Sequence, residues 1–363
     1  MTFLSKTQKT LDKKDITTGK AAPPAYWIST GNYAQNKVIS GSFMNGIPQG
    51  RVTCFCGPSG HGKSFNIVNL MRETQQQGGL VIAVDTENAL DDDFVEKLGV
   101  STDDDVYLPV SVNTIGECKK AISAIITDYK KDFSPSDGPD APKISIFIDS
   151  VSMLMTDTEQ VQFEKGENKG DQGQRNKQLK AMLSSFTNNI KGTNITMVIT
   201  SHVYKNQDLI NGEGLYIVPD AIKYSCSQIV MVTKLTLKDK ETKEITGIRM
   251  KCYGYKTRFT RPFQSVTIEV PYEAGMDPFN GLLDIAEDLE IVKKSGSWYT
   301  LSTTGDKFQR KTFSDYQDTI LKLCEDKANV NLEAILAEGE EEVVEKGTSS
   351  KQMRQDKFND VED

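Results

Sequence analysis

A mostly parallel α/β sheet covered by helices is the fold class this sequence predicts, and three observations predict it. Short, nearly continuous apolar runs alternate with segments of helical periodicity. A glycine-rich loop joins the first of these runs to the helix that follows. With 363 residues, 37% of them hydrophobic and 26% charged, the chain is long and apolar enough to bury a substantial core. One large core with smaller appendages is expected.

The chain opens with a polar, lysine-rich stretch over residues 1–25, and Pro23 and Pro24 interrupt any helix there. It is expected to be an arm ahead of the main unit. Residues 52–56 (VTCFC) read as a buried strand and a helix is expected from Lys63. A strand at 80–85 (LVIAVD) and helices at 92–98 and 115–129 follow. Residues 133–142 hold three prolines and Gly138, a surface turn, before 144–148 returns as a strand buried on both faces.

Two polar stretches, 156–176 and 203–219, each follow an inner strand and read as loops of the length that usually serves function. Strands at 227–235, 248–256 and 265–270 finish the sheet with antiparallel character. A small C-terminal unit, 273–332, carries a helix at 282–289, and an acidic tail, 333–363, closes the chain. The large core thus spans 26–272.

Composition sets limits on function. No leader-like or membrane-spanning apolar run occurs, so a cytoplasmic protein is expected. Six scattered cysteines with no CxxC pair read as core hydrophobes in a reducing compartment. The net charge of −8 alone disfavours a nucleic-acid partner. Acidic residues are, however, concentrated near the C-terminus, at Glu338, Glu340, Glu341, Glu342, Glu345, Asp360, Glu362 and Asp363, so the remainder is closer to neutrality.

The chemistry centres on Gly57-Pro58-Ser59-Gly60-His61-Gly62-Lys63-Ser64, which fits the phosphate-loop pattern G-x-x-x-x-G-K-[ST] between a strand and a helix. Its glycines let consecutive amides face phosphate oxygens, and the helix start adds a positive dipole end. Lys63 is expected on the β- and γ-phosphates of ATP, and Ser64 on Mg²⁺, which prefers hard oxygen donors. Phe65 closes the expected nucleotide-contacting run. Asp149, ending the strand at 144–148, is expected to hold the same magnesium through water. Glu87 follows a neighbouring strand and is the candidate to orient an attacking water, with Asp85 as the competing assignment.

Several separated motifs carry a resemblance covering about residues 26–300. Ile28-Ser29-Thr30-Gly31, Gly46 through Arg51 and the phosphate loop resemble the opening of a RecA-family ATPase core. Glu87-Asn88-Ala89-Leu90-Asp91 with Phe94 is similar to the family segment bearing the catalytic glutamate, which favours Glu87 over Asp85. The resemblance also implies that Asp91 and Phe94 border the adenine, although Phe94 reads equally well as core. His202, after the strand 196–201, falls where the family places a γ-phosphate sensor. Lys256 and Arg258, in Tyr255-Lys256-Thr257-Arg258, fall where it places cations that reach a neighbour's ATP. The histidine, together with residues 275–278 and 298–299, is similar to the UvsX-like recombinases of T-even phages.

The resemblance implies a DNA recombinase that forms a helical filament on single-stranded DNA, hydrolyses ATP with Mg²⁺ and exchanges strands with a homologous duplex. A recombination mediator and a single-stranded-DNA-binding protein are the accessory partners it brings, and a phage origin would make the compartment the host cytoplasm. Lys165, Lys169, Arg175, Lys177 and Lys205, in the two polar stretches, are the expected phosphate contacts on DNA. Residues 1–25 would pack on the adjacent subunit through Phe3 or Leu4. A hexameric helicase on the same core and an ATP-binding scaffold without strand exchange remain alternatives.

Overall fold

The near-continuous apolar strands have their explanation in two cores, one on each face of a single large sheet. Alternate residues divide between them. Val52, Cys54 and Cys56 join Ile146, Ile148, Met197 and Ile199 in one core, whereas Phe55, Phe147 and Val198 belong to the other.

The computed structural model describes residues 2–13, 23–133, 138, 140–167, 173–206, 216–239, 241–272 and 275–329. In chain order these hold helix α1 (Phe3–Asp12), strand β1 (Trp27–Ile28), α2 (Tyr33–Ser40), β2 (Ile47–Pro48), β3 (Val52–Cys56), α3 (Lys63–Gln76), β4 (Leu80–Asp85) and α4 (Asp92–Lys97). Next come β5 (Tyr107–Ser111), α5 (Ile115–Asp132), β6 (Ile144–Asp149), α6 (Asp157–Glu164), α7 (Gln174–Asn189) and β7 (Ile195–Ser201). A short hairpin, β8 (Tyr204–Lys205) with β9 (Tyr216–Ile217), precedes α8 (Asp220–Ser225). The chain then runs through β10 (Gln228–Lys238), β11 (Ile245–Lys256), β12 (Ser265–Pro271), α9 (Leu282–Asp288), β13 (Val292–Ser295), β14 (Trp298–Leu301) and β15 (Lys307–Gln309). A 3₁₀ stretch, Arg310–Asp315, leads into α10 at 317–329.

The main sheet has the order β12-β11-β10-β3-β7-β6-β4-β5. From β10 to β5 all neighbours run parallel, and β11 alone reverses direction. The expected fold class is therefore the observed one. Because the phosphate loop leaves β3 while the next strand in sequence, β4, sits beyond β7 and β6, a crevice opens at the carboxyl edge, where ligands of open α/β sheets bind.

A third apolar cluster, with Leu282, Leu283, Tyr299, Leu301, Phe308, Ile320 and Cys324, makes the small C-terminal unit. Phe43, from the loop after α2, is buried in it. The Glu325 carboxylate fixes that loop by accepting from Ser42 Oγ at 2.6 Å and Phe43 N at 2.7 Å.

One expectation is corrected. Residues 156–176 are not a loop throughout: α6 occupies the first part and α7 begins at Gln174. Thr156 caps α6 in a reciprocal box with Glu159, whose side chain returns to the Thr156 amide at 2.6 Å. All six cysteines are buried and unpaired, as core residues would be. Among the described residues no helix is long and apolar enough to cross a membrane. The acidic tail lies outside the described residues.

Candidate nucleotide site at the carboxyl edge of the sheet

Glycine is required at the phosphate loop by close approach and by backbone angle. A Cβ on Gly57 would collide with the carbonyl oxygen of Val232 on β10, and Gly62, the N-cap of α3, has φ +87°. Lys63 is 5% exposed and folds back so that Nζ donates to Pro58 O at 3.0 Å. Burial lowers its pKa, while Glu87 and Asp149 oppose that shift. The ammonium is thus held at the loop with two carboxylates close by.

Asp149 ends β6 fully buried. Its Oδ1 accepts from the Thr200 hydroxyl, and its Oδ2 has no hydrogen-bond partner. Burial raises its pKa, the Ser64 and Thr200 hydroxyls oppose this, and the nearby carboxylates Glu87 and Asp85 add to the rise. A buried carboxylate oxygen without a donor, with a serine hydroxyl beside it, is a hard-oxygen pair that suits Mg²⁺. Among the described residues no group of three His, Cys, Asp or Glu could hold an ion.

Glu87 and Asp85 are separated by what they bond. The two oxygens of Asp85 accept from Glu87 N at 3.0 Å and Leu90 N at 2.9 Å, so that carboxylate is consumed by its own turn. Glu87 instead turns into the crevice, where Oε1 accepts from the Ser150 hydroxyl and lies 3.1 Å from His202 Nε2. The ends of β4 and β6 are laced by Thr86 N to Asp149 O at 2.8 Å and Thr86 Oγ1 to Ser150 O at 2.7 Å. The sequence assigns no role of their own to Ser150 and Thr200, although Asp149-Ser150 resembles the family's second nucleotide motif and Thr200 lies in the strand that leads to His202. The available signal was a hydroxyl residue closing an otherwise apolar run.

His202 leaves β7 directly ahead of the β8–β9 hairpin, and its amide donates to Ser152 Oγ at 2.8 Å. Asp91 caps α4, accepting from Phe94 N at 2.9 Å, and is exposed. Phe94 and Phe65 are partly buried against the second core. His61 Nδ1 lies 2.9 Å from Ser59 O.

Lys256 and Arg258 lie at the other end of the sheet. Lys256 pairs with Ile229 at the start of β10, on the amino edge, opposite the phosphate loop. Its Nζ donates to Lys223 O at 2.6 Å and Cys226 O at 2.8 Å, at the end of α8. Burial and then Arg258 lower its pKa, with Cys226 opposing. Arg258 is exposed and lines a cavity of about 1040 Å³ with Arg51, Lys130 and Lys191.

The expected DNA contacts are scattered. Lys165 is exposed at the end of α6, and Lys205 is exposed on β8. Lys177 is exposed on α7, so it is not a loop residue. Arg175 is also helical, half-buried, and donates to Ser152 O within its own chain. Lys169 lies outside the described residues.

A phosphate loop between the first strand and helix of a mostly parallel sheet defines an α/β protein of the phosphate-loop class. The family model described as the RecA N-terminal domain matches residues 4–277. Protein RecA of Desulforapulum autotrophicum is 30% identical over 287 residues, covering 75% of this chain and 73% of that protein. Protein RecA of Clostridioides difficile is 29% identical over 285 residues, covering 76% and 74%. That of Rickettsia prowazekii is 28% identical over 275 residues, covering 75% and 74%. This chain belongs to the RecA family of DNA recombination and repair proteins.

Proposed function

We propose that the protein is an ATP-dependent DNA recombinase that assembles head to tail on single-stranded DNA and pairs it with a homologous duplex. The observation that carries this reading is the division of one site between two edges. Lys63, Ser64, Asp149, Glu87 and His202 converge at the carboxyl edge, whereas Lys256 lies at the amino edge. Cations so placed are remote from their own chain's phosphate loop, which supports a role at another copy's site, and a heterologous interface of that kind can propagate as an open helix.

In this reading Gly57 through Phe65 wrap the triphosphate and Lys63 leaves Pro58 O to contact the β- and γ-phosphates. Ser64 and Asp149 would hold Mg²⁺, which when bound would supply charge neutralisation at the phosphates. Asp91 and Phe94 border the base. Glu87 orients the attacking water and accepts its proton. His202, freed from Glu87, donates to the γ-phosphate and moves the hairpin that begins two residues later. Lys256 and Arg258 of an adjacent copy stabilise the transferring phosphoryl group as arginine fingers do.

Lys165, Lys177 and Lys205 remain free to meet DNA phosphates, and Lys169 belongs with them by sequence. Arg175 instead supports the 150–153 turn through Ser152. Residues 1–25 form an oligomerisation arm, supported by the exposure of Phe3 and Leu4 on α1. The core of 26–272, the small unit of 273–332 and the acidic tail complete the organisation. His202 and the 275–299 segment favour a UvsX-like phage recombinase, acting in the host cytoplasm with a mediator and a single-stranded-DNA-binding protein.

The test is ATP hydrolysis with and without single-stranded DNA, with electron microscopy of the same samples. DNA-stimulated turnover with helical filaments is the expected result. Closed rings would favour a helicase, and no response to DNA would favour a scaffold.

A further inference from the structure

The β10–β11 hairpin walls the phosphate loop, and one exposed cation on that wall, Lys234, has no salt-bridge partner among the described residues. Val232 of β10 abuts Gly57, and Met250 of β11 would lie 3.3 Å from a Cβ on Gly62. Lys234 is the register partner of Met250 and lies two residues beyond Val232, on the same face of β10. Its Nζ is 3.8 Å from the Cβ position of Gly60, and among the described residues nothing else lies within 4 Å of that position apart from Gly60 itself and its two chain neighbours. Among the described residues the Lys234 ammonium has neither a salt-bridge nor a hydrogen-bond partner.

An ammonium at the lip of a glycine loop complements phosphate charge. Gly60, at φ +69°, has no side chain to stand between them. The four-carbon stem rises from a strand paired on both sides over residues 228–231 and continuing in pairing with β11, so its root is rigid while its three donors can rotate. Lys63 occupies the inside of the loop and Lys234 the outside.

We propose that Lys234 is a second phosphate-directed cation of the same chain, which recognises the terminal phosphate of a bound nucleoside triphosphate and ties the β10–β11 hairpin to its presence. The proposal rests on the phosphate-loop reading of residues 57–64. Lys234 contacts the triphosphate and not the diphosphate, since the extra charge and oxygens are what bring the ammonium over the lip.

The experiment measures equilibrium binding of ATP and of ADP to the full chain, with steady-state KM and kcat on single-stranded DNA. Lys234→Met is expected to weaken ATP binding about three- to tenfold, in the range of a partly exposed cation–phosphate contact. ADP affinity and kcat at saturating ATP should stay within about twofold, and Lys234→Arg should restore the ATP affinity. Unchanged ATP affinity in both Lys234→Met and Lys234→Glu overturns the proposal. So does an equal loss for ATP and ADP, or a loss confined to DNA binding. Lys63→Ala is the control: if it binds ATP normally, the phosphate-loop reading itself fails, whatever Lys234 does.

Discussion

Glu87 Oε1 and His202 Nε2 lie 3.1 Å apart, joining a turn after β4 to the residue that leads from β7 into the β8–β9 hairpin. Both side chains are partly exposed to the crevice, at 24% and 31% for Glu87 and His202 respectively. The group proposed to orient water and the group proposed to sense phosphate are therefore in direct contact. A γ-phosphate that takes the His202 donor leaves Glu87 with the Ser150 hydroxyl alone.

Glu87→Gln keeps the shape of the side chain and removes its basicity. ATP binding and ATP-dependent binding of single-stranded DNA should persist, while kcat falls by about 10²- to 10⁴-fold, the usual contribution of a positioned base. Equilibrium nucleotide binding and single-turnover hydrolysis on the same preparation check this. Equal loss of binding and turnover would assign Glu87 a structural role.

His202→Ala should bind ATP within about threefold of the parent, since the phosphate loop is untouched, yet lose the strengthening of DNA affinity that ATP brings. His202→Gln supplies an amide donor and should retain it. Fluorescence anisotropy of a labelled single strand, with and without ATP, separates the two. A His202→Ala protein that still responds to ATP removes His202 from the switch.

Asp149 sets stability against function. An acid whose native pKa is raised binds its proton more tightly when folded, so stability falls as pH climbs from the ordinary carboxylate value through the raised native one. Asp149→Asn should lose that fall and, in chelator without nucleotide, melt higher by about 2 °C near neutral pH. The same variant should lose magnesium-dependent nucleotide binding. Melting curves across pH, with and without Mg²⁺ and ATP, test both halves.

Glu325→Ala removes the acceptor that holds Ser42 Oγ and Phe43 N, and Phe43 is buried in the C-terminal cluster. The expected cost is about 1–3 kcal/mol, because two donors are left unpaired. It should appear as faster proteolysis of the C-terminal unit, with ATP affinity unchanged. Uniform destabilisation that also weakens nucleotide binding would mean that the two units unfold together.

The sheet was legible in the sequence because strands covered on both faces read as unbroken apolar runs, and the phosphate loop was legible because its glycines answer to local backbone geometry. Helix α6 was missed although its capping box, Thr156 with Glu159, is written locally; the polar composition around it masked the signal. Thr200, Ser150 and Lys234 could not be read in that way. Each matters through a neighbour brought up by the sheet: Asp149 for Thr200, Glu87 for Ser150 and Gly60 for Lys234. Likewise, only strand order reveals that Lys256 sits at the edge opposite Lys63.

That separation is tested most directly by mixing two inactive proteins. Lys63→Ala lacks its own phosphate lysine but keeps the amino-edge cations, and Arg258→Ala has the reverse defect. If each site is completed by another copy, an equimolar mixture on single-stranded DNA should regain about a quarter of the parental turnover, the fraction of randomly assembled interfaces that pair two intact halves. A mixture that co-assembles on DNA yet stays inactive would contradict the shared site.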